Sequence, residues 1–134
     1  MPKFGVLLFL ALAGCASMPN PSQRPPPAYV IFFQDDSTAI SRQAAFIINR
    51  AAVDDNHHAN KVVEVTGPST KKTKHYNPSL AGPRIVAVEH ALAAAGVEER
   101  RIVEASLPPP SLKLKEDATS AQRVEIRMVD RAGS

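Results

Sequence analysis

Hydrophobic and polar residues alternate along this chain in two periods, one of a strand and one of a helix. Tyr29, Val30, Ile31, Phe32 and Phe33 form an unbroken aromatic and β-branched run between Pro27 and the polar Gln34-Asp35-Asp36-Ser37. A strand that is apolar on both faces belongs in the middle of a covered sheet, so a central strand is expected here. Ser41 then stands where an N-cap would satisfy orphan amides, and Ala44, Ile47, Ile48, Ala51 and Ala52 recur at helical spacing until Asp54-Asp55-Asn56 stops the pattern. Lys61 to Val65 (KVVEV) reads as a second strand with Glu64 directed outward. After a polar loop, Leu80, Val88, Leu92 and Ala95 mark the buried face of a second helix, which Gly96 is placed to end as its C′ residue. Arg101 to Leu107 reads as a third strand. In the fourth, Arg123 to Val129, Val124, Ile126 and Met128 alternate with Arg123, Glu125 and Arg127.

The order is therefore β-α-β-α-β-β. A strand, a helix and a strand in so short a span predict that the first two strands are parallel and joined by a right-handed crossover. Pro108-Pro109-Pro110 and the charged residues after it form a loop without a structural signal.

Length and composition fit one such unit, since 134 residues with 44% hydrophobic content leave room for one small domain. The net charge of +3 is spread among mixed signs and only 5% of residues are aromatic, which speaks against nucleic acid as a partner.

The N-terminus has a different character. Lys3 precedes an apolar run from Phe4 to Ala13, too short for an ordinary transmembrane helix and suited to a signal-peptide core. The run ends in Leu12-Ala13-Gly14-Cys15, which resembles the lipobox of bacterial lipoproteins. Cys15 is the only cysteine, so an intramolecular disulfide is excluded and the thiol is expected to carry lipid. Diacylglycerol and an amide-linked chain bury methylenes at ~0.8 kcal/mol each, enough to anchor the chain without a transmembrane helix. Ala16 rather than an aspartate follows the cysteine, which in lipoproteins of Gram-negative bacteria implies sorting to the outer membrane. Pro19, Pro21, Pro25, Pro26 and Pro27 then mark an extended tether that spans some 30–40 Å if fully drawn out. A proline-rich ligand for a partner is the other reading of that segment. Residues 1–14 thus read as a signal peptide, 15–28 as lipidated cysteine and tether, 29–130 as the folded domain and 131–134 as a tail.

Several stretches of the folded part, in this order, resemble one family. Phe32-Phe33-Gln34-Asp35-Asp36-Ser37 resembles its Phe-x-x-Asp-Ser. Tyr76-Asn77-Pro78-Ser79-Leu80-Ala81-Gly82-Pro83-Arg84, continuing to Val88, resembles its Tyr-Asn-x-x-Leu-Ser-x-x-Arg-Ala-x-x-Val. Gly96-Val97, Arg101-Ile102 and Gln122-Arg123-Val124-Glu125-Ile126 resemble its Gly-Val, its next strand and its closing Arg-Arg-Val-Glu-Ile. The family is that of OmpA-like domains, the periplasmic peptidoglycan-binding modules of outer-membrane proteins and lipoproteins, and the resemblance covers roughly Tyr29 to Val129. It implies an α+β fold, a β-α-β-α-β-β sandwich with a mixed four-stranded sheet and two helices on one face. It implies a non-enzymatic outer-membrane lipoprotein, facing the periplasm, whose domain contacts peptidoglycan and ties membrane to wall without a cofactor. The alternative is that the fold serves as a protein-interaction or structural subunit of an envelope-spanning assembly, with peptidoglycan binding weakened or lost.

The family grips the zwitterionic end of diaminopimelate in the peptidoglycan stem peptide with an arginine, which pairs with the carboxylate, and an aspartate, which takes the ammonium. The resemblance puts the arginine at Arg84, the aspartate's position at Ser69 and Asn77 in the same motif, so the expected peptidoglycan-binding residues are Arg84, Asn77 and Ser69. A serine offers no charge, and its loss in place of aspartate costs on the order of 1–2 kcal/mol. Lys71, Lys72 and Lys74 follow, and would repel an ammonium while attracting carboxylates or another anionic partner. Pro83 is the other departure. It places the helix start at Gly82-Pro83, with Pro83 at the first helical position, or else kinks the helix. A solvated surface position is the plain alternative for Arg84.

Other candidates carry less. His57-His58, His75 and His90 lack the spacing of zinc sites. Asp35, Asp36 and Ser37 suggest a hydrolase, yet no histidine lies near them in sequence, and Ser37 fits a turn or cap.

Overall fold

The computed structural model describes residues 27–67, 77–106 and 122–131. The signal peptide, Cys15, nearly all of the tether, Ser69, the three loop lysines, His75 and the Pro108-Pro109-Pro110 loop lie outside these residues.

Six elements follow one another as expected. They are β1 (Ala28–Phe32), α1 (Arg42–Asn56), β2 (Lys61–Gly67), α2 (Ala81–Ala94), β3 (Ile102–Ser106) and β4 (Arg123–Asp130), with single 3₁₀ turns at Pro78–Leu80 and Glu99–Arg101. The fold is α+β, a mixed four-stranded open sheet with two helices.

The order of strands in the sheet is β1-β4-β2-β3. β2 and β3 pair in parallel, and β4 pairs antiparallel with both β1 and β2. Since β1 and β2 both oppose β4, they point the same way, as the strand-helix-strand pattern predicts. They are not neighbours, however, because β4 lies between them. The expected central position of the first strand is therefore corrected: β1 is an edge strand. Its apolar run does not signal two covered faces, since Ile31 is fully buried while the adjacent Phe32 is 53% exposed.

One face of the sheet carries the core. Cross-strand pairs Ile31–Val124, Val65–Ile126 and Val63–Ile102 put their side chains on it. Ile48 of α1 and Val88 and Leu92 of α2 close over them in one apolar cluster. Burying a side chain of this size stabilises by about 1.5–3 kcal/mol. On the opposite face, Glu125 lies between its own strand neighbours. Arg123 Nε donates to Glu125 Oε1 at 3.0 Å and Arg127 Nη2 donates to Oε2 at 2.8 Å. Burial raises the Glu125 pKa, but the hydrogen bonds and charges of Arg127 and Arg123 outweigh it and hold the carboxyl below its ordinary range.

The helix boundaries follow their capping residues. Ser41 is the N-cap of α1, its hydroxyl accepting from Ala44 N at 3.0 Å. The helix ends within the acidic stretch, as the sequence suggests. α1 runs through Asn56, and Asp55 is turned inward, 1% exposed. Its carboxylate forms an ion pair with Arg101, which also donates to the carbonyls of Lys61 and His58. Arg101 accordingly belongs to the 3₁₀ turn before β3 and not to the strand.

At the other helix, Gly96 is the C′ residue, with φ +104. Gly96 N donates to Ala93 O at 3.0 Å and Val97 N to Leu92 O at 3.1 Å, the paired bonds of a Schellman ending, with buried Val97 and Leu92 packed in the same core. α2 begins at Ala81, so Pro83 is its third residue rather than its first. The amides of the first turn have no acceptor within the helix, which lets Pro83 sit there without losing a bond.

Candidate ligand-binding site

β1, β2 and β3 run in one direction and β4 in the other, so the ends of the first three meet the start of β4 at one end of the sheet. The loop from Phe33 to Ser41 follows β1 at this end, and α2 opens here after β2.

The lead-in to α2 is a capped turn. Asn77 caps the 3₁₀ turn, its Oδ1 accepting from Ser79 N at 3.1 Å and from Ser79 Oγ at 2.7 Å. Where β2 ends, Gly67 is buried against α2. A Cβ added at Gly67 would stand 3.1 Å from Ile85 Cδ1, so a glycine is what lets α2 approach so closely.

Arg84 is not a solvated surface arginine, for only 2% of its surface is exposed. Its Nε donates to Ser37 O at 2.9 Å, and its Nη2 donates to Gln34 O at 3.0 Å and to Gln122 Oε1 at 3.0 Å. The guanidinium also lies 5.2 Å from the centroid of the Phe33 ring, within range of a cation–π attraction of ~0.5–2 kcal/mol. Arg84 therefore clamps both ends of the turn that contains Asp35 and Asp36. Gln122, just before β4, turns its amide group the other way as well, with Nε2 donating to Asp35 Oδ1. Asp36, with φ +51, is the one non-glycine residue in the left-handed region among those described.

The residues of the hydrolase reading are thus placed in the loop's own framework. Ser37 Oγ accepts from Ala39 N at 3.0 Å while its carbonyl takes Arg84. Among the described residues no group of three His, Cys, Asp or Glu is arranged to hold a metal ion. Gln34 and Ser37 also line a groove of about 530 Å³ with Phe32, Ser41 and Arg42. Among the expected site residues, Arg84 and Asn77 both fall at the opening of α2, while Ser69 and Cys15 lie outside the described residues. Gln122 was not singled out by the sequence. Its only signal is that it stands at the first position of the stretch that resembles Arg-Arg-Val-Glu-Ile.

The fold is that of an OmpA-like domain. Solved structures with this fold include the peptidoglycan-associated lipoprotein from Burkholderia pseudomallei, 24% identical, with a TM-score of 0.58 and coverage of 75% of this chain and 90% of that one. The OmpA-like domain of FopA1 from Francisella tularensis is 18% identical, with a TM-score of 0.61 and coverage of 78% and 75%. The periplasmic domain of Helicobacter pylori MotB is 21% identical, with a TM-score of 0.58 and coverage of 76% and 69%. No family model and no curated protein sequence matches the chain.

Proposed function

We propose that this chain is a non-enzymatic lipoprotein of the outer membrane, anchored through Cys15 and facing the periplasm, whose OmpA-like domain contacts peptidoglycan stem peptides and ties membrane to wall. The observation that carries this reading is Arg84, held at the opening of α2 in a fold shared with a protein named for its association with peptidoglycan. A cation beneath the surface at this end of the sheet draws in a carboxylate more strongly than one in bulk water, because the surroundings screen it less. Lipid on Cys15 accounts for a membrane location, as no helix among the described residues is long and apolar enough to cross a bilayer.

A second reading has its own support. Arg84 is 2% exposed, and its guanidinium is already bonded to Gln34, Ser37 and Gln122. This suits a domain whose arginine maintains the loop while the fold serves as a subunit of an envelope assembly. Sedimentation with purified sacculi separates the two. The first reading expects the protein to pellet with sacculi, free diaminopimelate to release it, and Ser69→Asp to tighten it. No pelleting by the wild type leaves the second reading, and an Arg84→Ala variant that pellets unchanged removes the proposed site. Cys15→Ser is expected to release the protein from the membrane fraction, and retention there would overturn the anchor.

A further inference from the structure

If the domain takes a stem peptide, the position equivalent to the family's acid holds Ser69, and the ligand's ammonium needs a carboxylate from elsewhere. The structure offers one on the β1–α1 loop. Arg84 is bonded to the carbonyls of Gln34 and Ser37, so the two residues between them are held out from the surface as a short arch, and both Asp35 and Asp36 are exposed. Only Asp35 is also fixed by its side chain. Gln122 is 3% exposed, receives Arg84 on its carbonyl oxygen and donates its amide nitrogen to Asp35 Oδ1. One buried amide thus joins a cation to a carboxylate and sets their separation. The second oxygen of Asp35 has no hydrogen-bond partner among the described residues, and the residue is exposed.

We infer that Asp35 supplies the carboxylate for the ligand's ammonium, in place of the residue missing at position 69. Three physical points support this. Its one hydrogen bond among the described residues comes from a neutral amide, not from a cation. The bond from Gln122 fixes the side chain before a ligand arrives, which removes part of the ordering cost of binding. The positive group that would attract the ligand's carboxylate is bonded to the same Gln122 amide, so the two opposite charges flank one side chain. Asp36 has no such support. Its backbone is in the left-handed region, and no hydrogen bond from a described residue holds its side chain. This inference rests on the stem-peptide reading above and names the acidic half of that site.

The test is Asp35→Asn, which keeps an oxygen able to accept from Gln122 and removes only the charge. Binding of a tripeptide ending in diaminopimelate is followed by calorimetry for the wild type, Asp35→Asn, Asp36→Asn and the double variant Asp35→Asn/Ser69→Asp. The expected result is a loss of about tenfold or more for Asp35→Asn, little change for Asp36→Asn, and recovery in the double variant, with unfolding midpoints unchanged. Wild-type affinity in Asp35→Asn, or a loss confined to Asp36→Asn, overturns the assignment while leaving the stem-peptide reading intact. Failure of the wild type to bind the tripeptide overturns both.

Discussion

Arg84 donates from Nε to the carbonyl of Ser37, 47 positions earlier in the chain, and so fastens the opening of α2 to the loop that follows β1. Without it, Ser37 O and Gln122 Oε1 lose the donor that Arg84 gives them, and Gln34 O keeps only the Ser37 amide at 3.2 Å.

The first prediction concerns this clamp. Leaving a buried acceptor unpaired costs about 1–3 kcal/mol, and Arg84→Met removes the donor to Ser37 O and Gln122 Oε1 and one of the two donors to Gln34 O. A loss of about 3 kcal/mol or more is expected in urea unfolding. Arg84→Lys keeps the charge but not the planar fork, and should recover less than half of that difference.

Asp55 and Arg101 form a second buried cluster, with side chains 1% and 8% exposed. Removing one partner of such a pair typically costs about 3–5 kcal/mol, because the other charge is left unpaired. Asp55→Ala and Arg101→Met should each be strongly destabilising. The double variant should lose less than the sum, and a double-mutant cycle measures the coupling directly.

Glu125 links stability to pH. Its folded pKa lies below its ordinary value, so folding favours the ionised form. The stabilisation is complete above the unfolded pKa, about 4.3 for a glutamate, and is lost as pH falls through the folded value. Glu125→Gln should therefore be less stable than the wild type at pH 7, with the gap closing below the ordinary carboxylate range. Thermal melts at several pH values test this, and a constant gap would remove the ion pairs as its cause.

Two glycines should respond to alanine with opposite signs. At Gly96, φ is +104, and nothing lies within 4 Å of an added Cβ, so the penalty is conformational only. Gly96→Ala is expected to cost about 1–2 kcal/mol. Gly82 is in the first turn of α2 with equally open space, and Gly82→Ala is expected to stabilise by about 0.4–1 kcal/mol. Unfolding midpoints of the two variants make the comparison.

The elements were legible in the sequence because each buried face repeats locally: Val124, Ile126 and Met128 on β4, and Ala44, Ile48, Ala51 and Ala52 on α1. The place of β1 in the sheet was not, since Phe32 is as apolar as its buried neighbours although it lies open to water. Strand order depends on which partner a strand finds, and here that partner, β4, is the last in the chain. The site was half legible. A motif pointed to Arg84, but its burial depends on Ser37, Gln34 and Gln122, and the pairing of Arg101 with Asp55 spans 46 positions. Contacts at that distance leave no periodic trace.

The place of β4 between β1 and β2 also sets when the domain can form. As the chain is made from its N-terminus, β2 and β3 can pair, but β1 has no strand to join until Arg123 to Asp130 has emerged. A stop codon anywhere before residue 123 would leave β1 unpaired and the core open along its length. The last strand to appear is the one that closes the sheet, so an incomplete copy cannot hold the loop and α2 together at the candidate site.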